Sequence, residues 1–431
     1  MNYKNLLLVL FCFIGNKITA QTTYTSYFTG DTTDVTTATK GGVCLMGGAT
    51  ESDDAMRWFL GQASGGDILI IRASGSNGYN TYLYSTLGMT VNSVESIVIN
   101  NAAAANDPYV LRRIREAEAV WIAGGNQANY VNFWKNSPMR AALNDLIRNK
   151  KAVIGGTSAG MAILGGGYFA ALNGSITTAA ALANPYDAAA TLGYGDFINY
   201  PHLQNVITDT HYDNPDRRGR QVAFMARLQR DFGVQRPLGI ACEEYTAFCV
   251  DSTGEGKVFG PVGQNAYFIQ TNCLRPNQAE TCIANTPLTW SQDGEALKVY
   301  VIPATVAGTG TFNITDWDRG GTGGAWENWS VQAGVFTAVA SFESPCAGAT
   351  SGINPFPNIV IYPNPSSDFL TVKNMENVTS LEVCDSNGKI LLQKNVKNTT
   401  ESIDLGGFAA ASYYLVLRNA NSSYSFGFVK K

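Results

Sequence analysis

Ala152-Val-Ile-Gly-Gly-Thr-Ser-Ala-Gly160 runs from a short apolar segment into a Gly-x-Ser-x-Gly turn and on into an apolar stretch. Read as strand, sharp turn and helix, this order lifts the Ser158 hydroxyl clear of a sheet edge. The flanking glycines let strand and helix approach closely. The Ala159 backbone amide then lies at a helix N-terminus, where it can stabilise a developing negative oxygen together with a second N–H.

The segments on either side repeat the alternation. Val43-Cys-Leu-Met46, Asp67-Ile-Leu-Ile-Ile71, Ser96-Ile-Val-Ile-Asn100 and Ala119-Val-Trp-Ile-Ala123 are short, almost continuously apolar runs. A strand buried on both faces requires such runs. Helical patterns separate them at 53–60, 109–117 and 127–149, and a longer one covers 221–232. Strand and helix in this order predict an α/β fold, a mainly parallel sheet sandwiched by helices.

After about Ser252 the pattern shifts to short β-rich runs separated by Gly, Asn and Thr. The expected organisation is a leader at 1–20, a catalytic α/β domain at 35–251, a β-rich extension at 252–344, a Pro/Gly/Ser/Asn linker at 345–357 and a small β-sandwich at 358–431. Six short strands are read in that last unit, with Pro363-Asn364-Pro365 as a turn signal after the first.

At 431 residues with 45% apolar content the chain is long enough for more than one compact unit. A net charge of −4 and no long Lys/Arg run give no footprint for nucleic acid. Lys4, the apolar run Leu6–Ile14 and Ala20 read as a cleaved secretory signal, because the run falls far short of the roughly 20 residues that span a bilayer. Eight cysteines suit an oxidising destination; Cys273 with Cys282 and Cys242 with Cys249 are plausible local pairs, although spacing does not decide the pairing. No CxxC pair occurs and only two histidines exist, so neither a metal nor a cofactor is expected.

A serine nucleophile needs a base. His202 sits in a loop entering a strand, whereas His211 ends the run Asn205-Val-Ile-Thr-Asp-Thr210. Open α/β sheets gather their ligand-binding residues at such strand ends. Scarcity therefore makes His211 the candidate base for Ser158. Arg217 and Arg220 open the helical pattern that follows, and their planar forks suit a carboxylate. Gly124-Gly-Asn-Gln127 is a second strand-end loop: the Gly125 amide is a candidate to complete the oxyanion hole, and Gln127 to orient the scissile group.

Taken together, Gly124-Gly-Asn-Gln127, Gly156-Thr-Ser-Ala-Gly160 and Asp209-Thr-His211 with Arg217-Arg-Gly-Arg220 resemble the S51 serine peptidases, the cyanophycinases and aspartyl dipeptidases. The resemblance covers roughly residues 40–250. It implies a fold like the class I glutamine amidotransferases, with Ser in place of Cys, and hydrolysis at an aspartyl residue. In cyanophycinases that means release of β-Asp-Arg dipeptides. It further implies Ser158 as nucleophile, His211 as base, and Gln127, Thr157, Asp209, Arg217 and Arg220 lining the substrate site. Charge would assign Asp209 to a substrate guanidinium and the arginines to a carboxylate.

The chain departs from the family in two places. An acidic triad member is expected some 15 to 20 residues after the serine, and Asn173–Leu182 has no Asp or Glu. Asp187, Glu243 and Glu244 are the candidates left. Cyanophycinases also resemble one another in an arginine shortly after the histidine, where this chain has Pro215. A Gly-x-Ser-x-Gly esterase and a non-catalytic binding protein on a peptidase fold remain as alternatives, the second motivated by the missing acid.

The tail resembles the C-terminal sorting domain of the type IX secretion system of Bacteroidetes, on Ile361-Tyr-Pro-Asn-Pro365, Asp385-Ser-Asn-Gly-Lys389 and Phe428-Val-Lys-Lys431. This implies the type IX machinery as a partner and a secreted or cell-surface destination. A peptide substrate, cyanophycin or a β-aspartyl peptide, is the other implied partner. The sequence leaves the oligomeric state open, a homodimer among the options.

Overall fold

The computed structural model describes residues 22–341, 359–385, 389–419 and 423–431. The leader at 1–20 and the linker at 345–357 lie outside the described residues. Ahead of the tail the strands are β1 (Thr25–Gly30), β2 (Val43–Met46), β3 (Asp67–Arg72), β4 (Ser93–Val98), β5 (Ala119–Ile122), β6 (Val153–Thr157), β7 (Gly167–Phe169), β8 (Leu192–Tyr194) and β9 (Val206–Asp209). They continue as β10 (Leu238–Cys242), β11 (Ala247–Val250), β12 (Glu255–Phe259), β13 (Asn265–Thr271), β14 (Leu297–Pro303), β15 (Gly310–Asn313), β16 (Gly321–Thr322), β17 (Ala325–Gln332) and β18 (Val335–Ser341). The helices are α1 (Asp53–Gln62), α2 (Pro108–Glu116), α3 (Gln127–Phe133), α4 (Pro138–Asp145), α5 (Ala159–Ala162), α6 (Thr178–Ala183) and α7 (Arg218–Phe232).

Two sheets form. One has ten strands in the order β1-β4-β3-β5-β6-β2-β11-β12-β15-β16, the other eight in the order β18-β17-β14-β13-β10-β9-β7-β8. Parallel pairing in the first is confined to its middle, β4-β3-β5-β6-β2. Antiparallel strands extend it on both sides, so the sheet is mixed, with parallel pairing only at its centre. The residues after 252 do not form a sheet of their own: β12, β15 and β16 lengthen the first sheet, while β13, β14, β17 and β18 lengthen the second.

Period-2 alternation explains why the central strands are apolar throughout. Val43, Leu45, Leu69, Ile71, Val120 and Ile122 face one core, shared with α2, α4 and the second sheet. Cys44, Met46, Ile68, Ile70, Ala119 and Trp121 face the other, covered by Met56, Phe59 and Leu60 of α1. A third core lies between the second sheet and α7. Each strand therefore has its best free edge at its ends, where loops can carry chemistry.

The single helix expected over 127–149 is broken. Pro138 cannot donate to a preceding turn, and the Ser137 hydroxyl accepts from the Met139 amide at 3.2 Å, so a new helix starts there. The helix after Ser158 spans only Ala159–Ala162. Two expected disulfides are absent. Cys273 is disulfide-bonded, yet Cys282, Cys242 and Cys249 are unbonded. Cys242 and Cys249 lie on different strands that face different cores, which explains why sequence proximity misled.

The tail is built from β19 (Val360–Tyr362), β20 (Phe369–Lys373), β21 (Ser380–Cys384), β22 (Ile390–Asn395), β23 (Thr400–Asp404), β24 (Ala411–Arg418) and β25 (Ser423–Lys430), in a three-stranded and a four-stranded antiparallel sheet. Their inward residues, among them Leu370, Leu381, Ile403, Leu415 and Phe428, make a core of their own. The strand missing from the six read in the sequence is β23. It has one strongly apolar residue, because its other inward position is Glu401, buried with an ion pair to Lys394.

Candidate functional site

β6 ends at Thr157, and the chain turns so sharply that Ser158 takes φ 53° and ψ −119° before α5 begins. A non-glycine residue in such a region costs about 1–3 kcal/mol and persists only where its surroundings hold it. Here the Ser158 amide donates to the Met46 carbonyl of β2 at 3.0 Å, and the Ala162 amide donates to the Ser158 carbonyl at 2.9 Å. Gly160 must be glycine, since a Cβ there would come within 2.1 Å of the Ile122 carbonyl oxygen. The bend therefore presents the serine side chain at the carboxyl ends of β2, β5 and β6.

His211 follows β9 by two residues and also has a positive φ, 46°. Its amide donates to the Gly47 carbonyl at 2.8 Å, and its ring lies against Gly48, where an added Cβ would sit 2.4 Å from Nε2. Ser158 Oγ is 2.7 Å from His211 Nε2, within proton-transfer range. On the far side of the ring, Nδ1 is 2.6 Å from Glu244 Oε1. With Nδ1–H donating to that carboxylate, Nε2 is left as the acceptor facing the hydroxyl.

The three acidic candidates separate cleanly. Asp187 Oδ1 accepts from the Ala189 amide within its own loop. Glu243 is buried and accepts from Tyr267 Oη at 2.6 Å and from the Asn265 amide at 2.7 Å; burial pushes its carboxyl above the usual range. Glu244 alone of the three touches the imidazole. The reason is register: β10 runs parallel to β9 with Ala241 opposite Asp209, so the residues just past each strand end meet as His211 and Glu243-Glu244. Successive residues then point to opposite sides. Tyr245, at φ 61°, turns the chain back toward β11, and its amide donates to the Gly48 carbonyl at 2.9 Å.

Gly47-Gly48, directly after β2, is a strand-end turn that supports this arrangement. Its backbone accepts from both His211 and Tyr245, and Gly47 N–H donates to the Thr246 carbonyl at 2.8 Å. The available signal was its position at the end of a buried parallel strand. His202, by contrast, lies in a short turn and lines a cleft with Gly41, Gly42 and Ala152, which precede β2 and β6. That is the opposite end of the same strands.

Among the residues expected to line the substrate site, Gly124 stands next to the serine: a Cβ there would lie 3.5 Å from Ser158 Cβ. Gly125 follows it in the same loop at φ 157°, and Ala159 is the first residue of α5. Asn126 caps α3 through Oδ1 at 3.0 Å from the Ala128 amide, leaving half-buried Gln127 as the first helical residue, with a long 3.4 Å contact to the Phe169 carbonyl. The Thr157 hydroxyl is buried with no protein partner among the described residues.

Asp209 and Arg220 are brought together by the fold. Both are buried and they pair with each other, Nε donating to Oδ2 at 2.8 Å and Nη2 to Oδ1. The guanidinium expected at Asp209 is here that of Arg220, and the carboxylate expected at Arg220 is that of Asp209. Arg217 differs. Nη1 donates to the Thr210 carbonyl at 3.0 Å, while Nε is buried without a partner among the described residues. Burial, and then the nearby Arg220, lower its pKa from the ordinary arginine value. Removing one member of a buried pair leaves an uncompensated charge, so Asp209→Ala is expected to cost about 3–5 kcal/mol. Urea unfolding checks this; an undiminished midpoint with a raised KM would instead place Asp209 on substrate.

Residues 43–249 match the Peptidase family S51 profile, and residues 360–431 match that of the Secretion system C-terminal sorting domain. The chain is similar to a cyanophycinase of Synechococcus elongatus, 25% identical over 176 residues that cover 39% of this chain and 48% of the relative. It thus spans about half the length of that relative. A cyanophycinase of Trichormus variabilis is 25% identical over 262 residues, covering 58% of this chain and 81% of the relative. The crystal structure of a peptidase from an acI-B1 Actinobacterium is 15% identical with a TM-score of 0.38, covering 53% of this chain and 91% of its own. The sorting domain marks the chain for export to the cell surface or beyond. This chain accordingly carries a peptidase family S51 domain over residues 43–249, followed by a secretion system C-terminal sorting domain at 360–431.

Proposed function

We propose that the 43–249 domain is a serine peptidase that hydrolyses aspartyl or β-aspartyl peptide bonds through an acyl-enzyme on Ser158. The observation that carries this reading is the unbroken contact from Ser158 Oγ through the His211 ring to Glu244, at 2.7 and 2.6 Å. In it, Oγ attacks the scissile carbonyl carbon while Nε2 takes the hydroxyl proton. Glu244 stabilises the imidazolium that forms. The carbonyl oxygen, now negative, is held by the Ala159 and Gly125 amides. Collapse expels the amine, which takes the proton from Nε2. A water activated by the same nitrogen then releases the acid and restores the serine.

Arg217 is the side chain best suited to a substrate carboxylate, because its Nε has no partner among the described residues. With Asp209 engaged, a cationic substrate group would instead meet Glu51 in the groove beside Tyr245, where Asp53 and Asp54 already pair with Arg57. Pro215, in place of the family's arginine, favours small aspartyl peptides over the cyanophycin polymer. The carboxylate at Nδ1 favours catalysis over a non-catalytic binding role, and the tail is read as the address for the type IX machinery. Incubation with α- and β-aspartyl dipeptides, insoluble cyanophycin and p-nitrophenyl esters, with products read by mass spectrometry, tests the proposal. Aspartyl dipeptide cleavage is expected; ester hydrolysis with every aspartyl peptide left intact would overturn it.

A further inference from the structure

Cys44 on β2 and Cys249 on β11 stand directly opposite each other in the antiparallel register. Their sulfurs are 3.3 Å apart, and both side chains are fully enclosed. Directly opposed residues on antiparallel strands have Cα atoms roughly 4.5–5.5 Å apart, inside the span a disulfide bridges. Alternation puts both on the face packed under α1, with Met46, Ala247 and Phe59. Cys242, the other thiol nearby, belongs to the opposite core and donates to the Leu45 carbonyl at 3.5 Å. Elsewhere the chain does carry a disulfide, at Cys273, and the sorting domain directs it out of the reducing cytosol.

We infer that Cys44 and Cys249 become a cross-strand disulfide in the exported protein, a covalent staple beneath the candidate active site. Two thiols give one disulfide, two protons and two electrons, so an acceptor is required; a protein or small-molecule disulfide supplies it. The thiolate of one cysteine attacks the acceptor disulfide and expels half of it as a thiol. The thiolate of the second then displaces the other half, forming the Cys44–Cys249 bond. Because the folded core encloses both sulfurs, exchange takes place before β11 docks on β2.

The position gives the bond its consequence. β2 leads directly into Gly47-Gly48, against which His211 packs, and β11 directly follows Glu244-Tyr245-Thr246. A staple between the two strands ties the support of the imidazole to the carboxylate that faces it. It also closes a loop of 205 residues, the kind of long closure that restricts the unfolded chain most.

The test uses the full chain recovered after export, denatured without reductant in iodoacetamide, digested and read by mass spectrometry. A linked peptide pair containing Cys44 and Cys249 is expected. Alkylation of both in a sample where Cys273 is still bonded overturns the inference, as does a Cys44–Cys242 link. Where Cys273 is also found alkylated, the reduced chain is refolded in a mixed glutathione buffer; Cys44 and Cys249 still free after refolding again overturns it. Melting temperatures give a second readout. If the bond exists, Cys44→Ala and Cys249→Ala each lose it entirely, so the double variant melts no lower than the weaker single one. Additive losses would count against it.

Discussion

Ser158→Ala is expected to abolish covalent labelling by a fluorophosphonate probe and to lower peptide turnover on the order of 10⁴–10⁶-fold. The probe reports the nucleophile directly, because labelling requires a serine oxygen to attack phosphorus and expel fluoride. Alanine accepts the same backbone twist about as readily as serine, so the variant should melt close to the parent. Its amide still donates to Met46, and the neighbouring glycines are untouched. This separation matters: loss of labelling with an unchanged melting curve isolates the hydroxyl. Labelling of the alanine variant to the parent's extent would mean that another residue reacts, and the acyl-transfer reading would fall with it.

Glu244→Gln is the second large effect, about 10³–10⁴-fold in kcat with KM little changed. Glutamine keeps the size of the side chain but presents an amide in place of a charge. The imidazole then loses the partner that fixes Nδ1 as donor and stabilises its protonated form. Asp187→Asn is the matched control, expected to stay within about twofold, since Asp187 does no more than order its own loop. Equal losses from both, or full activity in Glu244→Gln, would remove Glu244 from the proposed relay. Glu243 is a poorer control, because its carboxylate ties β10 to Asn265 and Tyr267 and its removal disturbs the sheet.

Much of this arrangement could be read along the chain, and the parts that could not share a physical cause. Glycine spacing around Ser158 signalled a bend because only glycine tolerates the close approach to Ile122. The scarcity of histidine singled out His211 before any geometry was known. Gly47-Gly48 carried an equally clear turn signal, yet nothing in its own sequence says that a ring from a strand of the other sheet packs on it. That Asp209 and Arg220 pair with each other was hidden for a related reason. Charge alone shows that a group needs a partner, and not whether that partner is a ligand or another side chain eleven positions on.

Apolar period, turn residues and the order of elements determined by themselves the α/β class, the elbow at Ser158 and the β-rich tail, because each rests on contacts between near neighbours in sequence. Which of Asp187, Glu243 and Glu244 meets His211, which cysteines face one another, and how the strands after 252 divide between two sheets were decided only by the tertiary structure. Those choices depend on strand register, and a shift of a single residue exchanges the two faces of a strand. Local sequence carries little information about register; the packed core, which must bury both faces of β2 and β6, sets it.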